Sequence, residues 1–595
     1  MIFNPDVYKK NMQALEVKYP ELAERVKTCK IVSYELVQME GCMPNLRHNL
    51  VGKFWYDGRL DEYLSRQWKD LKHEGTKVPI FLGFGLGFEP MYYLSKYGES
   101  NMIQAAIIVE RDIEVFTAAM KVNDITELIN RDSIHLFVGI PAEELYLLGR
   151  ELFAKNIREC LFCGTYYPVF SSLPMEIDKT FYLKSLGKIL ESCWDNLHNY
   201  GNDPEDSLIG LENMLDNISE IASNPGINLL YDKFKNKPAI IVATGPSLKK
   251  NIHLLKGLEN KALLISVDAS LKLLLENEIK PHLVTSLERE HEVQQFFDNI
   301  PEEQSKDVYM AACPVIYNHV YESYTGPKLM VYRMFDHFKW LGIDKGMLDI
   351  KLSSSHMAFS IAKALGCDPI ILVGQDLAYG EDGETHATAV PFSSAGEEEF
   401  MVEGNYVKQI RTNDGWNGFL KALEIDVNQY NGTVYNATAG GALIRGTLIK
   451  DLATIINEDL IEDVNILAAI KEGLESFDTS QIESAVEHII PLFDKTIADL
   501  EGIIDLCIEG ANQSAELTVE ESQKNRIEIH TKYHDTYQMF LMHVIQSLHL
   551  VYEMQYAIKP TNPIVWYQFI GDITAICLKS LIKARGRIAD GQVSE

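Results

Sequence analysis

Five polar side chains follow short apolar runs in the central part of the chain, at the points where buried strands would end. Runs such as "AIIVA" and "PIILVGQD" have the length and composition of such strands. Parallel sheets bind ligands beyond the carboxyl ends of their strands, so these side chains are predicted to meet at one edge. The five are Thr244, Asp268, Ser286, Glu288 and Asp376. Hydroxyls and carboxylates at one edge could bind a polar substrate and move protons.

The stretch "PAIIVATGPSLKKN" predicts a strand, a tight turn and the start of a helix. Gly245 permits a close approach of backbone or ligand, and Pro246 presets a helical φ. Ser247 could cap the helix or offer its hydroxyl to a ligand. A helix start behind a strand suits an anion, yet neither a Walker loop nor G-x-G-x-x-G is present. A plain strand-to-helix turn is equally compatible with these residues.

The elements that position these residues indicate a protein of three parts. Residues 1–219 read as an amino-terminal α/β domain and residues 220–457 as a central Rossmann-like domain with a parallel sheet. Its predicted strands are "AIIVA", "ALLISVD", "HLVTSL", "VYMAACP", "KLMVYR" and "PIILVGQD". Residues 458–595 carry apolar residues at helical spacing and predict a helical bundle.

The amino-terminal part has its own glycine-rich turn, in "IFLGFGLGFEP". Gly83, Gly85 and Gly87, followed by Glu110 at the end of the next strand, have the spacing of a nucleotide-binding β-α-β unit. The same glycines could serve only close packing of helix on strand. We predict that this turn is structural, because the leading function requires no second activity.

Charge and composition exclude several classes of protein. The net charge of −30 makes the chain a poor non-specific binder of nucleic acid or anionic membrane. No stretch of about 18 uncharged apolar residues predicts membrane insertion, and the start of the chain lacks a secretory signal pattern. Nine scattered cysteines are typical of a reducing compartment. We therefore expect a cytoplasmic protein.

Four segments carry a resemblance to a known family. "VATGPSLKKN", "SVDASLKLLLENEIKPHLVTSLERE", "VGQDLAYGEDGETHA" and "NATAGGALIRGT" together resemble the motility accessory factor (Maf) family of flagellin glycosyltransferases. The amino-terminal "PELAERV" start also resembles this family, and the helical tail matches in position and length. The resemblance implies a CMP-nonulosonic acid donor and flagellin as the partner. We expect the helical tail to dock flagellin.

The central part is also similar to bacterial sialyltransferases that use CMP-activated nine-carbon sugars. In that family the Gly-Pro-Ser-Leu turn borders the nucleotide, and an Asn that contacts the donor stands where this chain has Asp268. Ser353 and Ser354 stand in place of a Thr-Ser pair, and a later strand ends in Gly374-Gln375-Asp376. The resemblance implies that these residues bind the substrate. Asn436 and Thr438, in the segment "NATAGG", are expected to face the same pocket.

A CMP-sugar donor sets the chemistry that the site must perform. One phosphodiester needs amides and hydroxyls rather than many cations, and the acceptor hydroxyl needs a base. No metal is obligatory, and Mg²⁺ is an optional ion. We predict His386, in "GEDGETHA", as the base, with Asp376 and Glu384 as the next candidates. His386 could instead bind substrate or stabilise its loop, and Asp376 could be a structural carboxylate.

Three functions follow from these observations. The first is transfer of a pseudaminic- or legionaminic-type sugar from CMP to Ser or Thr of flagellin. The second is a pyrophosphokinase of pterin metabolism, whose domain resembles the central segment and would need ATP and Mg²⁺. The third is a flagellin-binding chaperone without catalytic activity, which would tolerate His386→Ala.

Overall fold

A computed structural model of the chain describes most of the sequence. The described residues are 3–38, 44–71, 78–97, 105–156, 160, 166–198, 203–388, 398–514, 516–558 and 562–589. They form two compact units, which are described separately. The first comprises residues 1–200 and 553–559, and the second comprises residues 201–552 and 560–595.

The first unit is an α/β structure, as the sequence predicts. Its strands are β1 (Tyr34–Gln38), β2 (Pro44–His48), β3 (Val78–Leu82), β4 (Ala106–Glu110), β5 (Ile134–Val138) and β6 (Tyr166–Phe170). Its helices are Pro5–Lys18, Pro20–Thr28, Leu60–Leu71, Phe88–Tyr97, Ile113–Val122, Thr126–Asn130, Leu145–Lys155 and Ser172–His198. Four strands form a parallel sheet in the order β5-β4-β3-β6. Strands β3, β4 and β5 are buried along their length, which explains their continuous apolar runs.

The second unit is built on an eight-stranded sheet. Its strands are β7 (Ala239–Val242), β8 (Leu263–Val267), β9 (Leu283–Ser286), β10 (Tyr309–Ala312), β11 (Lys328–Met330), β14 (Ile370–Val373), β17 (Val434–Asn436) and β18 (Leu448–Ile449). The order is β11-β10-β9-β8-β7-β14-β17-β18, and every pairing is parallel. The Rossmann-like sheet predicted from the sequence is confirmed. The strand order reverses between β7 and β14, and such a switch point is where open α/β sheets bind ligands.

Shorter pairs and many helices surround this sheet. Strands β12 (Tyr332–Arg333) and β13 (Met347–Leu348) pair in parallel, and β15 (Glu399–Val402) pairs antiparallel with β16 (Ile410–Asn413). The helices before residue 460 are Pro204–Asp216, Ile218–Ser223, Leu248–Asn251, Asp268–Glu276, Glu302–Ser305, His319–Ser323, Asp336–Leu341, Ser354–Ala364, Asp414–Asn428 and Leu452–Glu458. Those of the tail are Ile466–Leu474, Thr479–Gln513, Lys524–Lys532, Met542–Ile558 and Ile564–Ala589. Short 3₁₀ helices cover Ile227–Leu230, Ile252–Leu255, His291–Phe296 and Glu521–Gln523, and a π-helix covers Thr536–Leu541.

The helical tail shares one hydrophobic core with the central sheet. Trp340, from the central part, stacks on Phe493 of the tail with ring centroids 5.7 Å apart. Its indole Nε1 donates to Thr496 Oγ1 at 3.1 Å. Farther along the tail, Ser580 Oγ donates to Glu212 Oε1 at 2.8 Å. Residues 201–219 and the tail, apart from residues 553–559, belong to the same compact unit as the sheet, whereas the three-part division of the chain stays a prediction.

One helix of the described chain is long and apolar enough to cross a membrane by length and composition. It is Ile564–Ala589, and a third of its most apolar window is buried inside the structure. Tyr567, Ile570 and Leu581 on this helix lie in the shared core. A core helix passes the same test, so this helix is weak evidence for a membrane span.

Candidate functional site

The turn after β7 lies against the end of β14, at the switch point of the large sheet. The amide of Gly245 donates to the carbonyl of Gly374 at 2.7 Å. A Cβ on Gly245 would lie 2.0 Å from Asp376 Oδ2 and 2.5 Å from the Gly374 oxygen. Pro246 is buried beside Gly380, where an added Cβ would meet Pro246 Cβ at 3.1 Å. Glycine at 245 is therefore needed because a carboxylate occupies the place of its side chain.

Asp376 is the anion that this turn binds in the structure. Its Oδ2 accepts a hydrogen bond from Ser247 Oγ at 2.7 Å, and its Oδ1 accepts one from the Ser247 amide at 3.2 Å. Burial raises the pKa of Asp376 to about 6, against the two Ser247 hydrogen bonds and the charge of Lys250. The helix that follows is only Leu248–Asn251. A phosphate could use the Ser247 donors only after Asp376 had moved, which the sequence does not reveal.

A second group of carboxylates follows the carboxyl ends of β8 and β9. Ser354 Oγ donates to Asp268 Oδ2 at 3.0 Å, and Ser286 also lowers the pKa of this carboxyl. Burial outweighs both effects and raises the pKa of Asp268 to about 6. Burial, reinforced by the charge of Asp268, raises the pKa of Glu288 to about 7. Of the five strand-end residues, the structure thus brings Asp268, Ser286 and Glu288 together, with Ser354 beside them, while Asp376 is bonded to Ser247 at the β7 turn.

Ser353 is hydrogen-bonded to His356, a site residue that the sequence patterns did not predict. Its hydroxyl lies 2.7 Å from His356 Nδ1, and His356 Nε2 lies 3.0 Å from the carbonyl of Phe419. Burial lowers the pKa of His356 to about 4, so the ring is neutral at pH 7. A carbonyl can only accept, so Nε2 carries the proton and Nδ1 accepts from Ser353. This leaves the Ser353 oxygen free to accept a further hydrogen bond, as from Ser355 Oγ at 3.0 Å.

Gln375 connects the two groups of residues. Its Nε2 donates to Ser355 Oγ at 3.4 Å, and its amide donates to Thr438 Oγ1 at 3.1 Å. The Thr438 amide donates to Asn436 Oδ1 at 3.1 Å, and Asn436 Nδ2 donates to Asn405 Oδ1 at 3.1 Å. Both Asn436 and Thr438 are fully buried. In this structure they support the turn behind β17, whereas we predicted that they face a pocket.

His386 and Glu384 lie in different surroundings although only one residue separates them. Glu384 is exposed, and its Oε1 accepts from Lys249 Nζ at 3.3 Å. His386 is half-buried with its ring centroid 6.1 Å from that of Trp416. Burial lowers the pKa of His386, and its buried Nδ1 has no hydrogen-bond partner within the described ranges. The amide of Ala387 donates to the carbonyl of Thr244 at 2.7 Å, which ties this loop to the β7 turn.

The glycine turn of the first unit is filled by the protein itself. A Cβ on Gly85 would lie 2.6 Å from Trp55 Nε1 and 2.6 Å from the Tyr56 hydroxyl. Glu110 Oε2 accepts from the Phe84 amide at 2.8 Å, and Oε1 accepts from the Asp112 amide at 2.9 Å. The carboxylate that could have met a ribose is therefore used inside the turn. This geometry supports a structural role for these glycines.

The second unit offers carboxylates and hydroxyls but no preformed metal centre in the described residues. Across the described part of the chain, no group of three or more His, Cys, Asp or Glu side chains could hold a metal ion. The arrangement offers the Ser247 donors at the switch point, which Asp376 now occupies, three carboxylates whose pKa values burial raises to about 6 or 7, and a neutral histidine. Such groups suit binding of a polar substrate and proton transfer.

Comparisons with known proteins agree on the fold. The family described as 6-hydroxymethylpterin diphosphokinase MptE-like matches residues 212–382. No curated protein matches the chain. Among solved structures, a Maf glycosyltransferase from Magnetospirillum magneticum AMB-1 matches with a TM-score of 0.57 and 14% identity over 100% of this chain and 98% of that chain. The resemblance predicted from the sequence is thus confirmed at the level of the fold.

Proposed function

We propose that the protein is a glycosyltransferase that moves a nonulosonic acid of pseudaminic or legionaminic type from a CMP donor to Ser or Thr hydroxyls of flagellin. The observation that carries the proposal is the fold likeness to a Maf glycosyltransferase along the entire chain. The pterin family covers only residues 212–382, which leaves the first unit and the tail without a role. The reaction is proposed for the cytoplasm, because no disulfide joins the cysteines that the structure describes.

Transfer breaks the bond between the sugar's anomeric carbon and the phosphate oxygen, and forms a bond from that carbon to the acceptor oxygen. CMP leaves with the bonding electrons, and the acceptor proton passes to a base of the enzyme. The hydroxyls of Ser353 and Ser355, at the start of the helix Ser354–Ala364, would donate to the leaving phosphate by exchanging the hydrogen bonds that they now donate to His356 and Ser353. No metal is required for these steps, and Mg²⁺ remains optional.

His386 is the best placed of the three predicted bases. Asp376 already accepts two hydrogen bonds from Ser247, and Glu384 is paired with Lys249 at the surface. His386 is kept neutral by burial, which lowers its pKa, and a neutral imidazole can accept a proton. Its loop is fixed to Thr244 at the switch point. Glu288 is a second candidate base, because its raised pKa of about 7 is suited to proton transfer near neutrality.

The test is the intact mass of purified flagellin after incubation with this protein and a CMP-nonulosonic acid. We expect added mass of one sugar per modified hydroxyl, and loss of most of that product with His386→Ala. His253→Ala, at an exposed histidine of the same unit, is the matched control and should leave the product unchanged. Flagellin binding without any added mass would favour the chaperone. Formation of a pterin diphosphate from hydroxymethylpterin, ATP and Mg²⁺ would favour the pterin enzyme.

A further inference from the structure

Arg333 is an arginine without an acidic partner at the carboxyl edge of the large sheet. It lies three residues beyond β11, and no carboxylate of the described chain lies within 4.0 Å of its guanidinium. Five other basic side chains on the segments around this edge are paired with acids. These pairs are Lys249–Glu384, Lys250–Glu381, Lys351–Asp349, Arg411–Glu399 and Arg289–Asp206. Among the described residues, Arg333 thus lacks the close ion pair that these five cations have.

The orientation of this guanidinium is nevertheless fixed. Its Nε donates to the carbonyl of Ile350 at 2.9 Å, and its carbon lies 4.8 Å from the ring centroid of Phe335. The tail supports the same ring, because His543 lies 4.2 Å from it between centroids. One hydrogen bond and one stacking contact use a single donor of the five that arginine has. The two terminal nitrogens therefore form a pre-oriented fork with no charged partner in the described structure.

The proposed donor site lies within electrostatic reach of Arg333. The charge of Arg333 lowers the pKa of Glu288, although burial and the charge of Asp268 still hold that pKa at about 7. The same charge contributes to the lowered pKa of His356, whose ring accepts from Ser353. Arg333 is half-buried, and burial lowers its pKa; a partly desolvated charge without an acid in contact costs stability. A site that tolerates this cost is suited to an anion that arrives with the substrate.

We infer that Arg333 binds an oxyanion of the sugar-nucleotide donor through its two terminal nitrogens. The inference rests on the proposed function and adds a charged contact that the strand-end residues do not supply. Two groups of a CMP-nonulosonic acid share the required chemistry: the phosphate, and the carboxylate of the sugar. Guanidinium groups bind either one with two parallel hydrogen bonds.

The experiment measures binding of cytidine, CMP and CMP-N-acetylneuraminic acid to the full-length protein by calorimetry. Arg333→Met keeps the stacking length and removes the fork. Arg411→Met is the matched control, because Arg411 also stacks on an aromatic ring, Tyr379 at 4.4 Å, but is paired with Glu399. We expect Arg333→Met to weaken the CMP-sugar about 10- to 100-fold and Arg411→Met to have a small effect.

The ligand series distinguishes the two oxyanions. Equal weakening of CMP and the CMP-sugar identifies the phosphate, and weakening of the CMP-sugar alone identifies the carboxylate. Equal weakening of cytidine, or unchanged binding of all three ligands, overturns the inference. If the unmodified protein binds no cytidine ligand, the proposed function and this inference both fail. Arg333→Met should unfold at or above the temperature of the unmodified protein, and a lower temperature would indicate a structural residue and overturn the inference as well.

Discussion

Replacing Gly245 by alanine tests whether the β7 turn is built around Asp376. The added Cβ would lie 2.0 Å from Asp376 Oδ2, and the Gly374 carbonyl at 2.5 Å blocks a shift of the turn in that direction. Contacts of Cβ atoms under 3.0 Å are essentially never seen, so the carboxylate must move by about 1 Å. The 2.7 Å bond from Ser247 Oγ and the 3.2 Å bond from the Ser247 amide would then both exceed hydrogen-bond length. Losing two hydrogen bonds to a buried carboxylate costs about 3–5 kcal/mol.

The assay is urea unfolding of the full-length protein, followed by hydrogen exchange of the Ser247 amide. We expect a lower midpoint and faster exchange at that amide for Gly245→Ala. Gly440→Ala is the matched control, since its Cβ would meet Ser247 Cβ at 3.4 Å and Asp376 Oδ1 at 3.5 Å, which are ordinary contacts. If both variants unfold at the same urea concentration, Asp376 does not occupy the turn and the explanation of Gly245 is wrong.

Three further predictions concern the two units. Burial raises the pKa of Asp268 from 3.8 to about 6. The folded state therefore loses stability as pH rises from 3.8 to about 6, because the carboxyl ionises more readily in the unfolded chain. Asp268→Asn should therefore raise the melting temperature more at pH 8 than at pH 5, and an equal gain at both would contradict this. Glu110→Ala should lower the melting temperature of the first unit; saturable binding of NAD or S-adenosylmethionine that this variant removes would refute a structural role. Phe493→Ala should cost about 3–5 kcal/mol and speed hydrogen exchange at Trp340; faster exchange confined to the tail would argue against a shared core.

Much of the fold follows from patterns that the sequence shows directly. Short apolar runs gave the strands of the large sheet, because strands buried on both faces need no alternation. The convergence of Asp268, Ser286 and Glu288 followed from one rule, that parallel strands end at the same edge. A local pattern and one topological rule were sufficient there.

The hydrogen-bond and ion-pair partners of each side chain could not be predicted in the same way. Ser247 and Asp376 are 129 positions apart and meet because β7 pairs with β14. Only that pairing shows that the carboxylate already uses the donors of the turn. Arg333 also stands just past a strand, so the rule for polar residues could have selected it. That no described carboxylate lies within ion-pair distance of it depends on packing between distant segments, which no local pattern encodes.

The core shared by tail and sheet limits how this protein can be divided. A fragment made of residues 201–457 would present Trp340, which is only 8% exposed in the full chain, and Leu341, which is fully buried, to water. Apolar surface uncovered in this way favours aggregation. A protein truncated after the sheet would therefore become insoluble, and this would mask any loss of a docking site. Surface substitutions on the intact chain are therefore the sound way to map partners. Gain or loss of the tail during evolution would therefore have required compensating changes on the face around Trp340, since that face packs against the tail.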